Sequence, residues 1–177
     1  MKKIGTVAFS VALAAVASAP AQAQIVLKSR LSGLCVQPEG GYWHGNGSLV
    51  RQVACDPDDS SQQWELDIPI ADRGKLWYRL FNRAHNYCLD LPDGNTNNGI
   101  PLQMWECNRS TTMRWTFAED GRIKNFRTDR KCIDVREASL EVGALIQNYT
   151  CGGDVWFPDE DGGPVVHLNL AQIWDRP

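Results

Sequence analysis

The chain is poor in residues that carry out chemistry. Its 177 residues include 3 His and 3 Met. His44, His85 and His167 lie far apart, without the His-x-x-x-His spacing that presents two imidazoles to one metal. There is no Gly-x-Ser-x-Gly nucleophile turn and no Cys-x-x-Cys dithiol. Asp159-Glu160-Asp161-Gly162 lacks the third acidic ligand and the distant Glu of a calcium loop. A basic excess is also missing: 18 Lys+Arg stand against 21 Asp+Glu, a net charge of −3. That argues against a face for nucleic-acid phosphates. No run reaches the ~20 apolar residues needed to cross a bilayer as a helix. The expectation is a non-enzymatic protein with no catalytic residue, no cofactor, no metal, no nucleic-acid partner and no membrane span.

What the chain does have is apolar surface and cysteine. Hydrophobic residues make up 43%, which excludes a disordered chain, and there are 7 Trp and 6 Cys. Lys2 and Lys3 precede an uncharged, Ala-rich run over residues 4–16, followed by Ala21-Gln22-Ala23. A basic start, a short apolar core and a small-x-small end make a secretory signal peptide, residues 1–23, cut after Ala23. The mature protein would then be one domain, 24–177, secreted or periplasmic. In such a compartment an even cysteine count reads as three disulfides.

The cysteines fall into three equally spaced pairs, Cys35/Cys55, Cys88/Cys107 and Cys132/Cys151. Equal spacing favours local pairing over the other connectivities open to six cysteines. The surroundings repeat as well. The first cysteines sit in Leu34-Cys35-Val36-Gln37, Tyr87-Cys88-Leu89-Asp90 and Lys131-Cys132-Ile133-Asp134. The second are preceded by Arg51-Gln52-Val53, Gln103-Met104-Trp105 and Gln147-Asn148-Tyr149. Each unit then reaches a Trp: Gln62-Gln63-Trp64, Met113-Arg114-Trp115 and Gln172-Ile173-Trp174. Three copies in register define a repeat protein. The segments are short, β-branched or aromatic, and separated by Gly, Asn, Asp and Pro, which is strand-and-turn grammar. The expectation is all-β, with repeats over about 25–74, 75–118 and 119–177. The third carries an insertion near 152–164, because Cys151 and Gln172 are much farther apart than Cys55 and Gln62.

Three repeats, two with a Gln-x-Trp end and one with Met in place of the Gln, two with a Cys-hydrophobic-Asp start, and one internal cysteine pair in each, resemble the ricin B-chain type lectins. The resemblance covers nearly all of the mature chain. It implies a β-trefoil of three pseudo-symmetric repeats, a barrel capped by hairpins, with one disulfide in each repeat. It also implies that Trp64, Trp115 and Trp174 are core residues.

A sugar offers hydroxyls along its edge and weakly apolar C–H faces. Its site needs a carboxylate or amide for the edge and an aromatic ring for the face. Alternation along a strand turns Leu102 and Met104 inward and Gln103 and Trp105 outward together. By the resemblance, repeat two offers Asp90, Gln103 and Trp105 for carbohydrate, and repeat three offers Asp134, Gln147 and Tyr149. Repeat one has Gln37, Arg51 and Val53, lacking both carboxylate and ring, and is expected to be inactive. The larger ring favours repeat two over repeat three. Three departures stand out. Met113 replaces the Gln of repeat two, Thr112 and Ala171 replace an Asn common in the family, and Asn148 replaces a core aliphatic.

Glycans or glycoconjugates are thus the expected partners, galactose-type first. An alternative is a cell-binding subunit of a multi-subunit secreted toxin, similar to cytolethal distending toxin, with partner toxin subunits. Trp156 and Phe157 in the insertion would pack the loop or anchor such a partner.

Overall fold

The computed structural model describes residues 24–40, 45–152, 155–158, 164–167 and 169–175. Residues 1–23, expected above to be a signal peptide, Trp43 and Asp159-Glu160-Asp161 lie outside the described residues, as do the side chains of Trp156 and Phe157.

Among the described residues, short alternating segments cut by turn residues fold into fourteen strands. They are β1 (Gln24–Val26), β2 (Cys35–Pro38), β3 (Ser48–Val53), β4 (Gln63–Asp72), β5 (Lys75–Asn82), β6 (Tyr87–Asp90) and β7 (Ile100–Pro101). They continue as β8 (Gln103–Trp105), β9 (Trp115–Phe117), β10 (Ile123–Asn125), β11 (Thr128–Val135), β12 (Ile146–Thr150), β13 (Val155–Pro158) and β14 (Pro164–His167). The first twelve form one hydrogen-bonded network. Strands β13 and β14 pair separately as an antiparallel hairpin.

Two layers emerge from the pairing. A ring runs β1–β4–β5–β9–β10. It closes through the Trp174 segment, whose N–H donates to Gly121 O and which bridges to Ser29. Over one end lie the three hairpins β2–β3, β6–β8 and β11–β12. Each hairpin touches the next: β3 pairs with β8, β7 with β12, and Arg51 with Leu145. A closed ring capped by three mutually paired hairpins is the β-trefoil.

The repeat-end tryptophans explain why the three units fold alike. Trp64 and Trp115 are 0% exposed and Trp174 is 2% exposed. Each indole N–H would be costly to bury unpaired. Each finds the carbonyl of the residue after its repeat's first cysteine. Trp64 donates to Val36 O at 3.2 Å, Trp115 to Leu89 O at 3.0 Å and Trp174 to Ile133 O at 3.2 Å. One residue type at three equivalent positions thereby ties the ring to each cap hairpin. The cap residues Val36, Leu89 and Ile133 pack in the same core, with Val50, Met104 and Ile146 from the facing strands.

The disulfides are Cys35–Cys55, Cys88–Cys107 and Cys132–Cys151, all local. Each clamps the open end of a cap hairpin. Trp77, to which the sequence assigns no role, is 1% exposed. It donates to Asp72 O at 3.1 Å and meets Phe126 edge-on at 5.0 Å.

Candidate functional site

The cap hairpins place three residues of each repeat in fixed relation. On β6 and β8, Asp90 stands opposite Gln103 and Cys88 opposite Trp105. On β11 and β12, Asp134 stands opposite Gln147 and Cys132 opposite Tyr149. Alternation gives each hairpin one wet side and one dry side. Leu102 and Met104 are buried, while Trp105 is 38% exposed and Tyr149 41% exposed. The carboxylate lies deep and the ring lies at the surface, two residues along the facing strand.

Each aspartate is held by the glutamine across from it. Gln103 Nε2 donates to Asp90 Oδ2 at 2.8 Å, and Gln147 Nε2 to Asp134 Oδ1 at 2.7 Å. Both carboxylates are 5% exposed. A cavity of about 370 Å³ opens over Asp90, Gln103 and Trp105, with Asp93, Asn108 and Arg127 on its wall. Another of about 360 Å³ opens over Asp134, Gln147 and Tyr149, walled by Arg136, Glu137 and Asn169. Burial pushes the Asp134 carboxyl above the ordinary carboxylate range, and donation from Gln147 and Gln172 partly opposes this. A deep acceptor beside an exposed ring suits a flat ligand with a hydroxyl edge and an apolar face.

The third residue after each aspartate position turns the chain with positive φ: Gly40 at 79°, Asp93 at 53° and Glu137 at 57°. That left-handed turn folds the rim back over the pocket. The next residue in repeat two, Gly94, is also left-handed, at φ +63°, and a Cβ there would sit 3.1 Å from Arg127 Nε. Glycine is therefore what lets the Arg127 side chain lie against the rim.

The repeat-end glutamine is what distinguishes the two pockets. Gln172 Nε2 donates to Thr150 O at 2.9 Å and to Asp134 Oδ2 at 3.0 Å, while its Oε1 accepts from Gly152 N at 2.7 Å. Gln62 makes the matching backbone bonds in repeat one, to Ala54 O at 3.0 Å and from Asp56 N at 2.9 Å. Met113 can make none of them. In repeat two Asn108 takes over one, with Nδ2 donating to Glu106 O at 3.3 Å. Asp90 Oδ1 is left buried without a hydrogen-bond partner.

In repeat one, Gln37 does face Arg51 across β2 and β3. Arg51 is spent elsewhere, donating to Gly143 O at 2.8 Å and pairing with Glu39 at 3.0 Å. Gln37 accepts from Gln62 at 3.3 Å. The third departure, Asn148, is 1% exposed and donates to Asn97 O at 3.1 Å, linking β12 to the turn before β7.

Sequence reasoning missed Asp93, Glu137, Asn169, Arg136 and Arg127 as wall residues. Asp93 and Glu137 were findable, because they sit three places past each aspartate in register. Asn169 was findable too, since it caps the turn three residues before Gln172, as Asp59 and Ser110 do before Gln62 and Met113; Arg127 reaches its pocket from another turn and carries no local signal. Among the described residues, no group of three or more His, Cys, Asp and Glu is placed to hold a metal. No described helix is long and apolar enough to cross a membrane.

A β-trefoil with paired Asp–Gln hairpins under exposed rings defines a lectin-type domain. Residues 76–176 match the Ricin-type beta-trefoil lectin domain, and residues 16–105 match the Ricin-type beta-trefoil lectin domain-like family. The chain belongs to the ricin-type β-trefoil lectin domain family. It is 40% identical over 47 residues to the ribosome-inactivating protein PMRIPt of Polygonatum multiflorum, covering 27% of this chain and 8% of that protein. The curated relatives are much longer proteins, and the matches span 8% to 17% of their length. Among solved structures, the designed three-fold symmetric protein ThreeFoil superposes with a TM-score of 0.66 at 23% identity, covering 85% of this chain and 95% of that one. The C-half of the earthworm R-type lectin, in complex with GalNAc, superposes with a TM-score of 0.58 at 14% identity, covering 86% and 95%.

Proposed function

We propose that this protein is a secreted lectin that binds galactose-type glycans through repeats two and three and catalyses no reaction itself. The observation that carries the reading is the Asp–Gln pair in register beneath an exposed ring, present twice. Asp90 and Asp134 would accept from vicinal hydroxyls, Gln103 and Gln147 would hold those carboxylates and add an amide edge, and Trp105 and Tyr149 would stack on the sugar face. An axial hydroxyl leaves one galactose face more continuously apolar, which suits such a ring. The earthworm lectin with GalNAc supports the same sugar class. Three disulfides suit an oxidising compartment, in line with the signal segment at residues 1–23.

Single shallow sites bind weakly, so two sites would give useful avidity on a multivalent glycan. A glycan array with the oxidised protein tests the reading. Retention on galactose-bearing glycans is expected, and no binding to any glycan would sink it.

A second reading, delivery subunit of a multi-subunit toxin, draws on repeat one and on the β13–β14 hairpin. Repeat one keeps the hairpin but fills its site with Arg51. The hairpin is an addition beyond the threefold plan and gives a partner something to grip. A second polypeptide co-purifying from the native source would favour this reading, and a clean monomer would count against it.

A further inference from the structure

We propose that Gln172 is the positioning residue of the repeat-three pocket, and that Met113 at the matching place makes repeat two the weaker site. This rests on the carbohydrate reading above and reverses the ranking that ring size alone gives. In repeat three the carboxylate is clamped from both sides. Gln147 donates to Oδ1 at 2.7 Å and Gln172 to Oδ2 at 3.0 Å. Gln172 is itself fixed, 0% exposed and bonded to the backbone on either side of Cys151. The Asp134 carboxyl plane is therefore set before any ligand arrives, and such preorganisation raises affinity by removing the ordering cost of binding.

Asp90 is held on one side only. Gln103 donates to Oδ2, while Oδ1 is buried and unpaired, and Met113, 1% exposed, lines the same pocket. Asn108 replaces one of the missing glutamine's two backbone bonds, through Glu106 O, but not the bond directed at the carboxylate. The larger ring of Trp105 thus sits over a less constrained acid.

The clamp has a signature that a merely structural glutamine would lack. A donor on Oδ2 stabilises the ionised carboxylate, so removing it moves Asp134 protonation to higher pH. The other charged or titratable groups on this pocket's wall, among the described residues, are Arg136 and Glu137 from the turn after β11 and Tyr149 from β12. All three stay in place when Gln172 changes.

The test uses the full disulfide-bonded chain and galactose as the probe, measured by calorimetry. Repeat three is isolated with Asp90→Ala and repeat two with Asp134→Ala. Gln172→Met in the first background should weaken galactose about tenfold, the order expected for a lost hydrogen bond to a charged group. Met113→Gln in the second should strengthen it several-fold. Met113→Gln installs the amide that repeats one and three already carry at this position, so it guards against a Gln172 variant that fails to fold. Carbon-detected NMR should show the Asp134 carboxyl titrating at higher pH in Gln172→Met than in wild type. Galactose binding that responds to neither swap, or an unmoved Asp134 titration, overturns the inference alone. A wild-type protein that binds no galactose sinks the galactose-type reading and this inference with it.

Discussion

Gln103 stands directly opposite Asp90 across β6 and β8, and its Nε2 meets the carboxylate at 2.8 Å. The pair is a cross-strand contact, and the proposed lectin function makes it a binding feature as well. Register places it, and the Cys88–Cys107 bridge next to it holds the register. The same pairing recurs between Asp134 and Gln147, so both pockets stand on a rigid β-scaffold rather than on a loop.

Removing these groups should cost affinity without unfolding. Asp90→Ala and Trp105→Ala should each weaken glycan binding at repeat two about tenfold or more, from a lost charge-assisted bond and a lost stacking face. Asp134→Ala and Tyr149→Ala should do the same at repeat three. Gln37→Ala and Val53→Ala should leave binding unchanged. Calorimetry beside a melting curve for each variant checks this. An Asp90→Ala, Asp134→Ala double variant that melts normally yet still binds would displace the site.

Acid should switch off repeat three. Asp134 binds its proton more tightly in the folded state than in the unfolded chain, because burial disfavours the charge. Glycan binding by that pocket should fall as pH drops through this raised folded value, above the ordinary carboxylate range. The stability sign is the opposite one. Between the unfolded and folded values the native state holds more protons, so the Asp134 contribution to stability declines as pH rises through that window. Binding curves over an acid series on Asp90→Ala protein should show the loss, and a flat profile there would refute it.

Loss of one bridge should be felt by the whole fold. Each disulfide closes a loop of about 20 residues, worth roughly 3 kcal/mol. Against a typical domain stability of about 5–15 kcal/mol, that is a large fraction. Cys88→Ser should lower the melting temperature by many degrees and loosen the pairing of Asp90 with Gln103. Calorimetric melting with and without reductant measures it.

The repeat-end indoles should matter beyond their volume. Trp115→Phe keeps an aromatic ring but leaves Leu89 O without its donor in a buried place. The unpaired acceptor costs about 1–3 kcal/mol, and the space left by the smaller ring adds to it. Equal effects are expected from Trp64→Phe and Trp174→Phe, since Val36 O and Ile133 O lose the same bond. Denaturant unfolding should place all three variants together, and widely different losses would contradict the threefold equivalence.

Gly94 should resist substitution. Its φ of +63° strains any other L residue, and a Cβ would press on Arg127 Nε at 3.1 Å. Gly94→Ala should cost about 1 kcal/mol or more and push Arg127 off the rim of the repeat-two pocket. A melting curve beside the repeat-two affinity reads both effects.

The threefold plan is legible along the chain. Evenly spaced cysteines, the residues beside them and the repeat-end tryptophans carry the pairing, the strand grammar and the inward or outward sense of Gln103, Met104 and Trp105. Those are local facts, set by period two along a strand and by spacing between cross-links. Where each polar side chain goes depends on how the hairpins and turns pack. Arg51 is drawn off to Gly143 and Glu39, Arg127 arrives over Gly94 from the turn between β10 and β11, and Asn148 spans to the turn at Asn97. Gln172 and Met113 occupy one position in the repeat, yet their difference appears only where Asp134 has two donors and Asp90 has one. Hydrogen bonds of this kind join residues 13 to 38 positions apart. Which donor reaches which acceptor is fixed by how the hairpins pack over the ring, and no periodicity along the chain records it.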